Sequence, residues 1–118
     1  MSSALSECFA KSRAVGIDDL KAGKYMVVAG DGVPEIYGHI KVFYRKDGIL
    51  HGYNKSVIRW GRFKVCHEGE SMAFDYSISR IPWLKTVRDH MRVVSPGILI
   101  GLYERKGLGR GYFMLVKI

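Results

Sequence analysis

From Lys24 onward, apolar and polar positions alternate with a period of two, and short glycine-, asparagine- or aspartate-containing breaks interrupt the runs. Tyr25-Met26-Val27-Val28-Ala29, between Gly23 and Gly30-Asp31-Gly32, predicts a first strand and a turn. Ile36 to Tyr44 places Ile40, Val42 and Tyr44 on one face and His39, Lys41 and Phe43 on the other. The second face leans polar, so the run reads as a half-buried strand. Lys46-Asp47-Gly48 supplies turn residues, and Ile49 to Tyr53 returns antiparallel to complete a hairpin. After Asn54-Lys55-Ser56, the run Val57 to Cys66 predicts a long strand. After Glu68-Gly69-Glu70, Met72, Phe74 and Tyr76 alternate with Ala73 and Asp75 in a further one. Ile98 to Glu104 and Tyr112 to Ile118 form a C-terminal hairpin around a glycine-rich connection.

Two stretches depart from this period. Residues 3–13 carry Leu5, Cys8 and Phe9 at helical spacing and predict a short leading helix, which Gly16 ends. In Ile81 to Val94, the residues Leu84, Val87, Met91 and Val94 also fall at helical spacing, opposite Lys85, Arg88, Asp89 and Arg92. Pro82 suits a first helical turn and Ser95-Pro96-Gly97 an end, so a helix is expected over 81–94 with its basic face in solvent. The fold class is therefore mainly β (α+β). The expectation is one domain spanning residues 1–118, built as an antiparallel, strongly curved sheet or small barrel with a short N-terminal helix and one late helix.

Composition narrows the class further. Apolar residues are 47% and charged residues 25% of the 118, the balance of an ordinary folded domain rather than of a disordered chain. No apolar run reaches the length of a membrane span, and the first residues lack a secretory pattern. Cys8 and Cys66 form neither a disulfide framework nor a zinc pattern, and a cytoplasmic setting is expected. The net charge of +8 favours anionic partners. From Arg80 onward, eight basic residues face only Asp89 and Glu104, so the C-terminal third carries much of that excess.

The chemistry candidates are few. His39, His51, His67 and His90 are scattered without metal-ligand spacing, so neither a metal nor a cofactor is expected. His39 and His51, if they meet across the 36–53 hairpin, and Asp75, if it points inward, are the acid–base candidates for an enzyme; the sequence leaves open whether there is one. An inward Asp75 would need a donor such as Arg59 or Arg62 beside it. Gly107-Leu108-Gly109-Arg110-Gly111, flanked by Arg105 and Lys106, reads as a hairpin tip with some capacity to contact anions. Aromatics interleave with cations in Val42-Phe43-Tyr44-Arg45-Lys46 and in Arg59-Trp60-Gly61-Arg62-Phe63-Lys64, a pattern shared by single-stranded nucleic-acid surfaces and by any half-exposed strand. A nucleic-acid partner is the less favoured reading.

Asp19-Leu20-Lys21-Ala22-Gly23-Lys24-Tyr25 resembles the Gly-x-aromatic opening of calycins, with Tyr25 where the family usually carries Trp. Trp60-Gly61-Arg62-Phe63 resembles them as well. Arg88 to Gly101 looks like the helix-then-strand ending of small bacterial lipocalin-like proteins, which close with a strand similar to Tyr112-Phe113-Met114-Leu115-Val116. The resemblance implies a barrel with a ligand cavity. On that reading Tyr25, Tyr44, Trp60, Phe74 and Met114 line the cavity, and Arg59 or Arg62 anchors an acidic head group. The leading expectation is binding of a small hydrophobic or amphipathic molecule in the barrel cavity, with an acidic one left open. An isomerase- or cyclase-type enzyme on the same barrel and a basic nucleic-acid or protein interaction module are the alternatives. A homodimer formed at an exposed sheet edge also stays open.

Overall fold

The computed structural model describes residues 4–16, 19–31, 39–68, 71–107 and 109–118. Gly32, Gly69-Glu70, the expected strand start at 36–38 and Leu108 of the glycine-rich connection lie outside the described residues. The chain begins with helix α1 (Ala4–Lys11) and a two-residue strand β1 (Arg13–Ala14). The period-two segments then become β2 (Gly23–Asp31), β3 (Ile40–Lys46), β4 (Ile49–Lys55), β5 (Arg59–Glu68) and β6 (Ser71–Asp75). Two 3-10 turns, Tyr76–Ile78 and Pro82–Thr86, lead to β7 (Val87–Ser95), β8 (Ile98–Arg105) and β9 (Gly109–Lys117).

Strands β2 to β9 each pair antiparallel with the next, and β9 pairs with β2, closing an eight-stranded up-and-down barrel. Closure leaves the sheet without a long open edge, and β1 merely extends β7 at Arg13↔Val93 and Ala14↔Arg92. Alternate residues face inward, and the interior is filled by rings. Phe63 and Phe74 stack with centroids 4.7 Å apart, Phe43 lies 5.6 Å and 5.3 Å from them, and Tyr25 meets Phe43 edge-on at 5.3 Å. Gly52 and Gly101 occupy inward positions where a Cβ would collide with the rings of Phe63 and Phe113, respectively, so glycine is what fits there. Val15 and Leu20 join the core from the N-terminal segment, and Leu84 joins it from the second 3-10 turn, packed beside Gly61. Helix α1 lies on the outer face: the Phe9 ring is 5.6 Å from that of Tyr112 and sits under the Arg92 guanidinium at 4.3 Å. Arg92 also donates to the Phe9 carbonyl at 2.9 Å.

The helix expected over 81–94 is not formed. Pro82–Thr86 is a short 3-10 turn, and the rest is strand β7, with Val87, Asp89, Met91 and Val93 all buried and facing inward. The helical spacing of Leu84, Val87, Met91 and Val94 is coincidental, since Leu84 belongs to the turn and Val94 is exposed. The true period of two was obscured because one of its inward positions carries a carboxylate. The stretch from Arg88 to Gly101, likened to a helix-then-strand ending, is accordingly strand, turn and strand.

Candidate functional site

Two groups of polar residues stand out, one inside the barrel and one outside. The interior group starts from the phase of β3. Because Lys41 and Phe43 face inward, Ile40, Val42 and Tyr44 take the other face, and Lys41 becomes completely inaccessible. A buried ammonium is tolerated only with hydrogen-bond and charge partners around it. Its Nζ donates to Asn54 Oδ1 at 2.7 Å and to the Tyr76 hydroxyl at 2.8 Å, and Tyr76 in turn donates to Asp89 Oδ2 at 2.7 Å. Lys41 Nζ is 3.7 Å from Asp89 Oδ2, so the tyrosine hydroxyl relays the contact between the charges. The rings of Phe63, Tyr76, Phe74 and Phe113 surround the ammonium at 5.2–5.8 Å.

Asp89 is fully buried, and burial holds its carboxyl above the ordinary carboxylate range; nearby Lys41 and the Tyr76 hydrogen bond pull the other way. Its Oδ1 has no hydrogen-bond partner among the described residues. Asn54 completes the group by donating to the Gly61 carbonyl at 3.2 Å. Gly61, at φ +63°, forms a bulge in β5, and a Cβ there would lie 2.6 Å from Asn54 Nδ2. The cluster thus ties β3, β4, β5, the first 3-10 turn and β7 together across the barrel.

The same bulge shapes the exterior. Trp60, half-buried and packed against the core, meets buried His39 edge-on at 5.0 Å, while Arg59 and Arg62 stay exposed. A groove of about 570 Å³ opens along the outer face of β3 to β5. Its aromatic walls are Tyr44, Tyr53 and Trp60. Among the described residues its cations are Lys46, Arg59, Arg62 and Arg80, the last supplied by the segment between the 3-10 turns, and no described carboxylate lines it. The Arg59 guanidinium lies over the Tyr53 ring at 5.0 Å, Tyr53 is 6.0 Å from Tyr44, and His51 stacks on Tyr44 at 5.8 Å.

The seven residues expected to bind a ligand, five as cavity lining and Arg59 and Arg62 as anchors, are not brought to one place. Tyr25 and Phe74 are buried in the ring-filled core, and Met114 lies on the outer phase of β9 between inward Phe113 and Leu115. Tyr44, Arg59, Trp60 and Arg62 come together in the groove. The acid–base candidates are not brought together. In the β3–β4 register His51 is opposite Tyr44, far along the hairpin from His39, and the two take opposite faces. Asp75 caps the first 3-10 turn through the Ser77 amide at 2.9 Å and lies 3.7 Å from Arg88, so it does not enter the barrel. Among the described residues, the inward carboxylate is Asp89.

Sequence reading missed Lys41, Asn54, Tyr76 and Asp89 as a unit. Each does sit in phase with apolar inward positions, as Lys41 does with Phe43 and Asp89 with Val87 and Met91. Lys46 and Tyr44 were visible in an aromatic–cation run, whereas Tyr53 and Arg80 join the groove only through tertiary structure. No group of His, Cys, Asp or Glu among the described residues could hold a metal ion. Comparison of this chain with protein-family models, with curated proteins and with solved structures finds no match.

Proposed function

We propose that this chain is a lipocalin-like binding protein whose ligand is an anionic, amphipathic molecule with a planar group, held in the groove on β3 to β5. The observation that carries this reading is the makeup of that groove: Lys46, Arg59, Arg62 and Arg80 converge on Tyr44, Tyr53 and Trp60, with no carboxylate among the described lining residues. Arginine presents a planar fork suited to carboxylate or phosphate oxygens, and the rings offer flat apolar faces for the rest of the ligand. The filled interior also argues for the outside, since Phe63, Phe74, Phe113 and Leu115 show no exposure at all.

The groove contains Trp60, so binding can be read optically. In a Trp83→Phe variant Trp60 is the remaining indole. Titration with the anionic fluorophore 8-anilinonaphthalene-1-sulfonate is expected to change Trp60 emission saturably, and Arg59→Ala with Arg62→Ala to weaken binding about tenfold through loss of charge-assisted hydrogen bonds. Equal binding of neutral N-phenyl-1-naphthylamine, unaffected by these substitutions, would contradict the reading and point to an apolar cavity instead.

A further inference from the structure

We infer that the ligand class of this groove is single-stranded nucleic acid, an inference that rests on the binding reading above and narrows it. The first support is the row of planar groups on the outer face. His51, Tyr44, Tyr53 and Arg59 follow one another across β4, β3 and β5 at 5.8, 6.0 and 5.0 Å. These contacts hold Tyr44 and Tyr53 in place, and with Trp60 they line the groove as aromatic groups on which unpaired bases can stack, which is tolerant of sequence because every base has a π-face. A duplex hides those faces inside its own stack.

The second support is the spread of charge. A small carboxylate is satisfied by one arginine, whereas here Lys46, Arg59, Arg62 and Arg80 are distributed around the groove, as a chain of phosphates requires. On β6, Asp75 is engaged by Arg88 and the Ser77 amide. The third support is the β4–β5 turn beside Arg59, where Val57 and Ile58 are 97% and 68% exposed. Apolar side chains at the edge of a cationic groove can pack on a base but have nothing to offer a free phosphate.

The test is fluorescence anisotropy with end-labelled single-stranded oligothymidylate and oligouridylate, a duplex of equal length, and the corresponding mononucleotide. The expected result is binding of single strands, weaker binding of the duplex and mononucleotide, and a log–log salt slope of about −2 to −3, as for roughly four phosphate contacts. Tyr53→Ala is expected to weaken single-strand binding about tenfold with the thermal transition unchanged, since one stacked base is lost. Lys106→Ala and Arg110→Ala, on the C-terminal hairpin and outside the described lining of the groove, should leave it unchanged. Equal loss in those two variants, or equal binding of the duplex, overturns the inference by showing that only diffuse charge is at work. If oligonucleotides fail while the anionic fluorophore still binds, the inference falls and the binding reading stands. If neither binds, both fall.

Discussion

The barrel interior and the groove on its outer wall both gather cations among aromatic rings, yet they treat those cations in opposite ways. Inside, Lys41 is met by Asn54, by the Tyr76 hydroxyl and, through it, by Asp89, with ring faces filling the remaining directions. Outside, the groove collects four cations and no carboxylate among the described residues. A charge answered by the protein's own partners serves the fold, because its removal strands those partners in a dry interior. A charge left to solvent contributes little to the fold and is available to a ligand. The two regions share a hinge point at the β5 bulge, where the Gly61 carbonyl accepts from Asn54 inside while Arg59 and Arg62 project outside.

The most direct way to break this contrast is to remove one member of the interior cluster. Lys41→Met should lower unfolding free energy by about 3–5 kcal/mol in urea titrations, because Asp89 is left buried without its counter-charge. Adding Asp89→Leu and Tyr76→Phe should return part of that loss; no recovery would mean that the cluster is not one unit. Gly101→Ala comes next. Its Cβ would meet the Phe113 ring and lie 2.9 Å from Met91 Sδ, so a loss of about 1–3 kcal/mol is expected from overpacking, with no change in ligand binding.

Arg62→Ala sharpens the contrast from the other side: stability should stay within about 0.5 kcal/mol of the parent while anion binding weakens. A large stability loss would show that the groove arginines are structural. The interior carboxylate also gives pH a sign. Asp89 holds its proton more tightly when folded than the unfolded value of about 3.9, so its contribution is fully present below that pH and is lost as pH rises through the folded value. Compared with the parent, Asp89→Asn should show a flatter stability–pH profile over the range above pH ~4. The smallest effect belongs to Asp19. The Arg13 guanidinium, paired with it at 2.8 Å, and the Gly16 amide lower its carboxyl to about 2, so its small contribution is present above pH ~4 and fades as pH falls toward 2. Asp19→Asn should abolish that acid-side slope and little else.

The strands whose inward positions are mostly apolar were legible from their alternation: β2, β4, β5, β6, β8 and β9 fall where the period of two puts them. The failures share one physical cause. A polar residue at an inward position breaks the pattern that burial normally imposes on sequence, and only a partner on another strand makes it tolerable. Asp89 therefore made β7 look like a helix with a charged face. Lys41, beside His39, made the inward face of β3 look like the solvent face and placed Tyr44 on the wrong side of the wall. The groove was half legible for the opposite reason. Arg59, Trp60 and Arg62 are neighbours in sequence, whereas Tyr53 reaches them by strand pairing and Arg80 by the path of the 3-10 segment.

The central claim, that the barrel is filled and its binding surface is external, can be tested with one titration observed by two-dimensional NMR, recording amides and methyl groups while 8-anilinonaphthalene-1-sulfonate is added. The account expects shifts confined to the outer residues of β3 to β5 and to the Arg80 segment, with the methyls of Met91, Leu99 and Leu115 unmoved. Shifts centred on those interior methyls would place the ligand inside the barrel and contradict it.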